Sequence, residues 1–272
     1  MSKDLRVFDV SMEFTRRDSN VLALDRVEMN VPAGRFVSII GPSGCGKSTL
    51  LRLIADVMQP SAGRVAVGGR SPAEARREHE FGFVFQSPTL LPWRTVLQNI
   101  ELPLDIVGRS KRPHSSARDL IELVGLKGFE SALPPELSGG MQQRAAIARA
   151  LMLRPSVLLL DEPFGALDEI TRQRMNLELL RIWAETGTTA LLVTHSIAEA
   201  VFMSDQVLVM SERPGRITGI VEVPLARPRT LDMMRSTAFF ECVNRVRDGL
   251  FGVEAHAGST EHHDMPLVVE AY

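Results

Sequence analysis

A glycine-rich segment constrains this chain more than any other feature of its sequence. Residues 41–48 read GPSGCGKS and match the pattern G-x-x-x-x-G-K-[ST]. An apolar, β-branched run at 36–40 precedes the segment, and residues 48–57 follow it with apolar side chains at helical spacing. Glycines let backbone N–H groups approach a polyphosphate closely, and the N-terminus of the following helix favours negative charge. Strand, loop and helix in this order predict a site for the phosphates of a nucleotide.

Two acidic residues follow another apolar run, 157–160, where a second strand is expected to end. Ligands of open α/β sheets bind at the carboxyl edge of the strands, so Asp161 and Glu162 are expected beside the phosphate loop. Asp161 is expected to hold Mg²⁺, directly or through water, with the Ser48 hydroxyl, and Glu162 to accept a proton from the attacking water. Lys47 is expected to reach the outer phosphates. Two solvated loop acids are the alternative interpretation, which the phosphate loop disfavours.

Strand patterns and helical patterns alternate along the rest of the chain. Residues 156–160 and 190–194 are typical of buried strands, and a helical pattern at 172–185 lies between them. Such a β–α–β unit implies a parallel sheet with a right-handed crossover. Residues 87–155 carry helical patterns broken by prolines, which indicates a helical insertion between strands of one sheet. Rough alternation within 5–31 predicts further strands at the N-terminus, and the whole pattern predicts an α/β fold.

Composition disfavours several classes of protein. Lys and Arg total 31 and Asp and Glu total 33, so the net charge of −2 disfavours a strongly basic nucleic-acid binder. The longest apolar runs have four residues, whereas a membrane-spanning helix needs about 20. The first ten residues lack the apolar region of a secretory signal. Cys45 and Cys242 are too few for a disulfide framework or a metal cluster, which favours the cytoplasmic, reducing compartment.

A second anion site is predicted at residues 137–144, which read LSGGMQQR and open a run of strong helix formers. Ser138 suits the N-cap, and the two glycines after it expose the helix N-terminus. One nucleotide needs two such sites only when two chains enclose it and each contributes a different one. With this segment added to the phosphate loop and the acid pair, the chain resembles the ATP-binding-cassette (ABC) ATPases from about residue 5 to 235.

Further elements of that family occur in the expected order. Gln86 stands at the Q-loop position, residues 165–168 (GALD) resemble the D-loop, and His195 stands at the switch-histidine position. Phe14 resembles the aromatic residue that stacks on adenine, although the family more often has Tyr there and a core role is the alternative. Asp56 stands where related proteins often have Gly. The resemblance implies a P-loop NTPase (RecA-like) core with a mainly parallel sheet, N-terminal antiparallel β strands and an inserted helical subdomain.

The resemblance also implies which residues hydrolyse ATP with Mg²⁺. The implied catalytic residues are Glu162, His195, Lys47 and Gln86. The implied nucleotide-binding residues are Phe14, Gly41, Pro42, Ser43, Gly44, Cys45, Gly46, Lys47, Ser48, Thr49, Gln86, Ser138, Gly139, Gly140 and Asp161. The implied metal ligands are Ser48, Gln86 and Asp161. Because residues 138–140 would act on the nucleotide of a second copy, a head-to-tail dimer is implied.

Finer features of the sequence point to importers. Residues 162–168 (EPFGALD) look like the importer version of the segment that joins the acid pair to the D-loop. Three stretches resemble the nitrate, sulfonate and taurine importer ATPases. They are 90–96 (LLPWRTV) with Asn99 and Ile100, 213–217 (RPGRI) and 225–229 (LARPR). The implied partners are integral-membrane permease subunits and, indirectly, an extracytoplasmic solute-binding protein, with no nucleic acid. The implied location is the cytoplasmic face of the inner membrane, where the chain is peripheral through the permease.

Alternatives to the importer remain open at this point. A soluble ABC-type ATPase without a permease would hydrolyse ATP with no membrane partner. A nucleotide-binding protein that does not hydrolyse is disfavoured by the acid pair, Asp161 and Glu162, and by His195. Large apolar residues around Pro92 could form a docking surface for the permease, or Trp93 could pack the helical subdomain. No residue of the chain indicates which solute is transported.

The predicted organisation has one ABC ATPase domain at 5–236. Its core comprises 5–86 and 156–236, and its helical subdomain comprises 87–155. Residues 237–272 form a C-terminal extension whose tail is expected to be disordered and whose histidines receive no role. The short basic run at 227–229 is expected to be solvated and receives no chemistry.

Overall fold

The computed structural model describes residues 2–15, 20–108, 115–165 and 167–252. The strands are β1 (Leu5–Thr15), β2 (Asn20–Val31), β3 (Phe36–Ile40), β4 (Ala62–Val67), β5 (Phe81–Val84), β6 (Val157–Asp161), β7 (Thr189–Thr194), β8 (Gln206–Met210) and β9 (Ile217–Glu222). The helices are α1 (Lys47–Ile54), α2 (Pro72–Arg77), α3 (Val96–Val107), α4 (Ala117–Leu123), α5 (Gly139–Leu151), α6 (Glu169–Thr186), α7 (Ile197–Met203) and α8 (Thr237–Phe251). Short 3₁₀ turns lie at Pro134–Glu136 and Leu231–Arg235.

Two sheets organise these elements. The first is antiparallel, in the order β2-β1-β4, and the second has six strands in the order β5-β6-β7-β3-β8-β9. The pairs from β5 through β8 are parallel and only β9 runs antiparallel to its neighbour. The predicted fold class, an α/β core with a mainly parallel sheet, N-terminal antiparallel strands and helices between β5 and β6, is therefore confirmed.

The central strand β3 divides the hydrophobic core in two. Phe36 and Ile40 point into a cluster with the helices between β5 and β6 and with α6 to α8, whereas Val37 and Ile39 point into a cluster with α1 and the antiparallel sheet. Successive side chains of a strand face opposite sides of the sheet, so a strand buried on both faces is almost continuously apolar. Because β3 is covered on both faces, the loop that follows it starts from a rigid support.

Helix α1 ends three residues before the predicted limit of 57. Asp56 takes a left-handed backbone conformation with φ of 59°, which stops the helix after Ile54. Its carboxylate pairs with Arg76 at 2.8 Å and accepts a hydrogen bond from Gln59. The glycine that related proteins often carry here has the conformational freedom that this backbone requires. Asp is among the few other residues that tolerate this conformation.

The basic run at 227–229 contradicts the expectation of a solvated segment. Arg229 is only 5% exposed and its Nη2 donates to the backbone oxygen of Ser204 at 2.8 Å. Burial lowers the pKa of the Arg229 guanidinium to about 10, and the charge of Arg227 acts in the same direction. Arg227 stacks on the Trp183 ring and donates to Asp205. Spacing did not reveal this packing because the partners lie 20 to 45 residues away.

The C-terminal helix packs on the main core. Phe239, Cys242, Val243 and Val246 of α8 belong to the same cluster as the six-stranded sheet. The division of the chain at 236 therefore stays a prediction, and the expectations for residues 253–272 lie outside the described residues. Among the described helices, none combines the length and the apolar composition that crossing a membrane requires.

Candidate active site

The phosphate loop joins β3 to α1, as the sequence predicts. Gly46 caps the helix with φ of 111°, and a Cβ built there would lie 2.6 Å from Leu24 Cδ2, so only glycine fits this position without strain. The Lys47 ammonium donates to the backbone oxygens of Gly41 and Pro42, at 2.8 Å each. The amine is thus held across the mouth of the loop, where phosphate oxygens can replace the two carbonyls.

The Ser48 hydroxyl and the Asp161 carboxylate meet at the edge of this loop. Ser48 Oγ donates to Asp161 Oδ1 at 2.8 Å, although the two residues are 113 positions apart. Burial raises the pKa of the Asp161 carboxyl above its ordinary value, and the hydrogen bond from Ser48 opposes that rise. A desolvated carboxylate beside a hydroxyl is a site where a cation would be favoured.

Glu162 follows Asp161 in a strained position and points at His195. Its φ of 45° is uncommon outside glycine, and its backbone N–H donates to the Val193 oxygen at 2.9 Å. Glu162 Oε2 lies 3.1 Å from His195 Nδ1. Strand β7 delivers the histidine beside β6, so the two side chains meet at the carboxyl edge of the sheet. A carboxylate oriented by an imidazole can act as a general base.

A cavity of about 590 Å³ opens beside these groups. Its lining comprises Phe14, Thr15, Val21, Ala23, Ser43, Gly44, Gly46, Lys47, Ser48, Thr49, Glu162 and Arg213. Phe14 both lines the cavity and packs on the apolar cluster under the antiparallel sheet, so its adenine-stacking and core roles are compatible. Arg213 was missed as a site residue, although the RPGRI stretch that contains it stood out in the sequence.

Gln86 approaches the acid pair but does not join the cavity lining. A Cβ built on Gly165 would lie 3.5 Å from Glu162 Oε2 and 3.6 Å from Gln86 Nε2, so the two side chains share one neighbour. The backbone next to Gln86 is fixed by the buried Gln143, whose Nε2 donates to the Phe85 oxygen at 3.0 Å. The assignment of Gln86 as a metal ligand stays a prediction.

The predicted second anion site lies apart from this cavity. Ser138 caps α5 by accepting from the Met141 N–H at 3.3 Å, and Ser138 and Gly139 are exposed. Neither these residues nor Gly140 lines the cavity. The geometry is compatible with a role for residues 138–140 on another chain, which stays a prediction. Position 166 of the D-loop resemblance lies outside the described residues, and Asp168 beside it caps α6 through the Thr171 N–H.

Comparison with known proteins decides the family. A family model described as ABC transporter matches residues 24–165. The chain belongs to the ABC transporter family. A taurine import ATP-binding protein of Rhizobium johnstonii is 46% identical over 225 residues, which cover 82% of this chain and 85% of that protein. An aliphatic sulfonates import ATP-binding protein of Bacillus cereus is 42% identical over 82% of this chain and 87% of its own length.

A solved structure extends the likeness to three dimensions. It is a dimeric post-hydrolysis state of an ATP-binding cassette bound to ADP and Pi. That cassette is 32% identical to this ABC transporter family member, with a TM-score of 0.71 over 82% of this chain and all of the other. The present protein is an ABC ATPase that binds and hydrolyses ATP, so the family resemblance drawn from the sequence is confirmed.

Proposed function

We propose that this ABC ATPase supplies the energy for an importer of a small solute of the nitrate, aliphatic sulfonate or taurine type. The hydrogen bond between Ser48 and Asp161 carries the site assignment, because it joins the phosphate loop to the strand-end acid beside one cavity. The names of the taurine and sulfonate relatives support the import function. The alternative is a soluble ABC-type ATPase without a permease, which the experiments below would favour if the importer proposal fails.

The proposed mechanism uses the described side chains in sequence. The loop amides and Lys47 hold the phosphates, and Glu162 accepts a proton from the water that attacks the γ-phosphate. His195 holds the Glu162 carboxylate at 3.1 Å in its working orientation and faces the same edge of the sheet. The imidazole thereby orients the carboxylate, and the carboxylate accepts the proton of the water.

The oxygen pair of Ser48 and Asp161 fits Mg²⁺. The ion prefers oxygen ligands and is usually held by one or two carboxylates together with substrate phosphates. Within the described residues no group of three His, Cys, Asp or Glu side chains could hold a metal alone, so the phosphates would complete the ligand set. When bound, Mg²⁺ neutralises charge on the β- and γ-phosphates.

The exposed cap of α5 supports a head-to-tail dimer. Ser138 and Gly139 are exposed at the start of α5, and neither lines the cavity of its own chain. In the proposed dimer these residues, with Gly140, reach the nucleotide held by Lys47 of the other copy. The dimeric state of the solved cassette supports this arrangement.

A cleft beside α3 is the proposed docking surface for the permease. It has a volume of about 290 Å³ and lies between β5 and the helical insertion, with Phe81, Phe83 and Ile106 in its lining. Ile106 is 77% exposed and Trp93, in the loop that leads to α3, is 72% exposed. Exposed apolar side chains of this size favour a partner surface over internal packing.

The buried Asn99 holds the loop that presents Trp93. Its Oδ1 accepts from the Leu91 N–H at 2.8 Å, and its Nδ2 donates to the oxygens of Leu91, Arg94 and Thr95 at 2.9 to 3.1 Å. The loop is therefore ordered without burying the indole. This arrangement supports a rigid docking surface, because little ordering entropy remains to be lost on binding.

Recovery of membrane partners tests the importer proposal. Tagged wild-type chain is expected to recover a multi-spanning permease from membranes of the source cell, and both Trp93→Ala and Ile106→Glu are expected to lose it. Ile220→Glu is the matched control, because Ile220 is 59% exposed on β9, at the opposite edge of the sheet from β5. Recovery with every variant would remove the docking surface, and absence of any permease with wild type would favour the soluble ATPase.

Light scattering tests the proposed dimer separately. Glu162→Gln, which is expected to bind ATP without turnover, should double its mass when ATP is added. A second substitution, Ser138→Arg, places a bulky cation at the exposed cap of α5 and should return the protein to a monomer. A mass that ATP does not change would count against the sandwich of two copies.

A further inference from the structure

The Arg213-Pro214-Gly215 turn between β8 and β9 packs against the phosphate loop. Arg213 donates to the backbone oxygen of Gly44 from both Nη2, at 2.8 Å, and Nε, at 3.2 Å. Its side chain lines the cavity that also holds Lys47 and Ser48. A guanidinium that addresses one carbonyl through two nitrogens makes a charge-assisted contact, which is stronger than a neutral hydrogen bond.

The turn is fixed to its surroundings by its own backbone. The Gly215 N–H donates to the Ala23 oxygen at 2.9 Å, and the Gly215 oxygen accepts from the Asp25 N–H at 3.0 Å. A Cβ at Gly215 would lie 2.2 Å from the Cys45 oxygen, so the turn approaches the phosphate loop as closely as backbone allows. The turn that carries Arg213 is therefore tied to β2 beside the phosphate loop.

Holding the Gly44 oxygen determines the direction of the next N–H group. The peptide unit between Gly44 and Cys45 is planar and trans, so its carbonyl and its N–H point to opposite sides. Arg213 fixes the direction of the carbonyl. The Cys45 N–H accordingly points across the loop, towards the Pro42 oxygen at 3.4 Å. At that distance the hydrogen bond is weak, so a phosphate oxygen could replace the Pro42 oxygen at little cost.

We propose that Arg213 is a positioning residue of the nucleotide site, which fixes the Gly44–Cys45 peptide of the phosphate loop through the Gly44 carbonyl. This inference rests on the nucleotide site described above. It assigns chemistry to the RPGRI stretch, which otherwise only resembles a subfamily. Without the guanidinium the peptide can rotate, and the loop must be ordered again each time a nucleotide binds. The loop amides cradle the α- and β-phosphates, so ADP and ATP should be affected alike.

Nucleotide titration of Arg213→Ala tests this role. With a fluorescent ATP analogue and the matching ADP analogue, Arg213→Ala is expected to raise both dissociation constants roughly tenfold, the loss typical of a hydrogen bond to a charged group. In steady-state hydrolysis the change should fall mainly on KM rather than on kcat. Arg216→Ala is the matched control, because this substitution removes the same charge from the same turn. Arg216 pairs with Asp25 and does not line the cavity.

The outcomes separate this inference from the proposed function. Equal affinity of Arg213→Ala and wild type, or an equal loss in Arg216→Ala, would overturn the role of Arg213. Failure of the wild type to bind ATP would instead overturn the nucleotide site itself. If Arg213→Ala does not fold, Arg213→Lys carries the test, because lysine keeps the charge but has one nitrogen. About threefold weaker binding by the lysine variant is then expected, and wild-type affinity would contradict the proposal.

Discussion

His195 Nδ1 lies 3.1 Å from Glu162 Oε2, and this contact joins the ends of two neighbouring parallel strands. The two residues are far apart in sequence. The φ of 45° at Glu162 turns its carboxylate towards the imidazole. Backbone strain of this kind persists where the surrounding structure holds it in place, and it recurs at functional sites. The pair is therefore held in place by the ends of β6 and β7 and by the backbone conformation of Glu162.

Glu162→Gln should separate binding from turnover. The amide keeps the shape of the carboxylate but cannot accept the proton of the attacking water, so kcat is expected to fall by about 10²- to 10⁴-fold. The affinity for ATP should change by less than about threefold, because Lys47 and the loop amides are intact. Phosphate release under single-turnover conditions and nucleotide titration measure the two effects. Turnover at the wild-type rate would remove Glu162 from its role.

Ser48→Ala should remove much of the metal dependence of nucleotide binding. The substitution deletes both a proposed Mg²⁺ ligand and the hydrogen bond to Asp161. With Mg²⁺ present, the variant is expected to bind ATP at least about tenfold more weakly than wild type. With EDTA the two proteins should bind ATP alike. If the alanine variant retained the full gain in affinity from Mg²⁺, the ion would have to be held elsewhere.

Asn99→Ala should loosen the Trp93 loop without affecting the nucleotide site. The substitution leaves the Leu91 N–H without its partner and removes three contacts to backbone oxygens, at a cost of about 1–3 kcal/mol in the free energy of unfolding. Permease recovery should fall while ATP affinity stays at the wild-type level. Denaturant unfolding measures the loss in the free energy of unfolding. The control is Asn244→Ala, at an exposed site, with an expected change below about 0.5 kcal/mol. A similar change in both variants would contradict the special role of Asn99.

Asp56 offers a test of backbone strain at the end of α1. Asp56→Gly relieves the left-handed conformation but loses the ion pair with Arg76 and the hydrogen bond from Gln59, so a net loss of about 1 kcal/mol in the free energy of unfolding is expected. Asp56→Ala loses the pair and keeps the strain, so it should be less stable than the glycine variant by about 1–2 kcal/mol. Thermal and denaturant unfolding of the two variants decide the matter. An alanine variant as stable as the glycine one would show that φ carries no cost here.

Local chemistry explains how far the sequence could predict the site. The phosphate loop and the acid pair were found because their residue types and their position after a strand are demanded by phosphate and Mg²⁺ chemistry, and the structure brings Lys47, Ser48, Asp161 and Glu162 together. Roles implied only by the family resemblance, such as metal ligation by Gln86, stay predictions. The mainly parallel sheet followed from the β–α–β pattern, whereas the order of its strands is known only from the structure.

Contacts between distant segments could not be predicted in this way. Arg213 reaches Gly44 across 169 positions, yet its stretch was noted only for its resemblance to an importer subfamily. Arg229 is buried on the Ser204 oxygen, although its basic run was expected to be solvated. No periodicity marks a residue whose partner is a backbone carbonyl elsewhere in the fold. The end of α1 was missed for a different reason, since Asp in the left-handed region is rarer than the glycine that usually signals it.

The hydrogen bonds between α5 and the segment after β5 couple two surfaces mechanically. Gln143 donates to the Phe85 oxygen, and Arg149 donates to the oxygens of Pro88 and Thr89 at 2.8 Å each. A rotation of α5 would therefore move residues 85–89 with it. In the proposed dimer, α5 of one copy contacts the ATP held by the other copy. The permease contact of each copy would then respond to the ATP held by the other copy. A copy whose α5 is disabled should therefore uncouple the ATP of its partner rather than its own ATP from the permease.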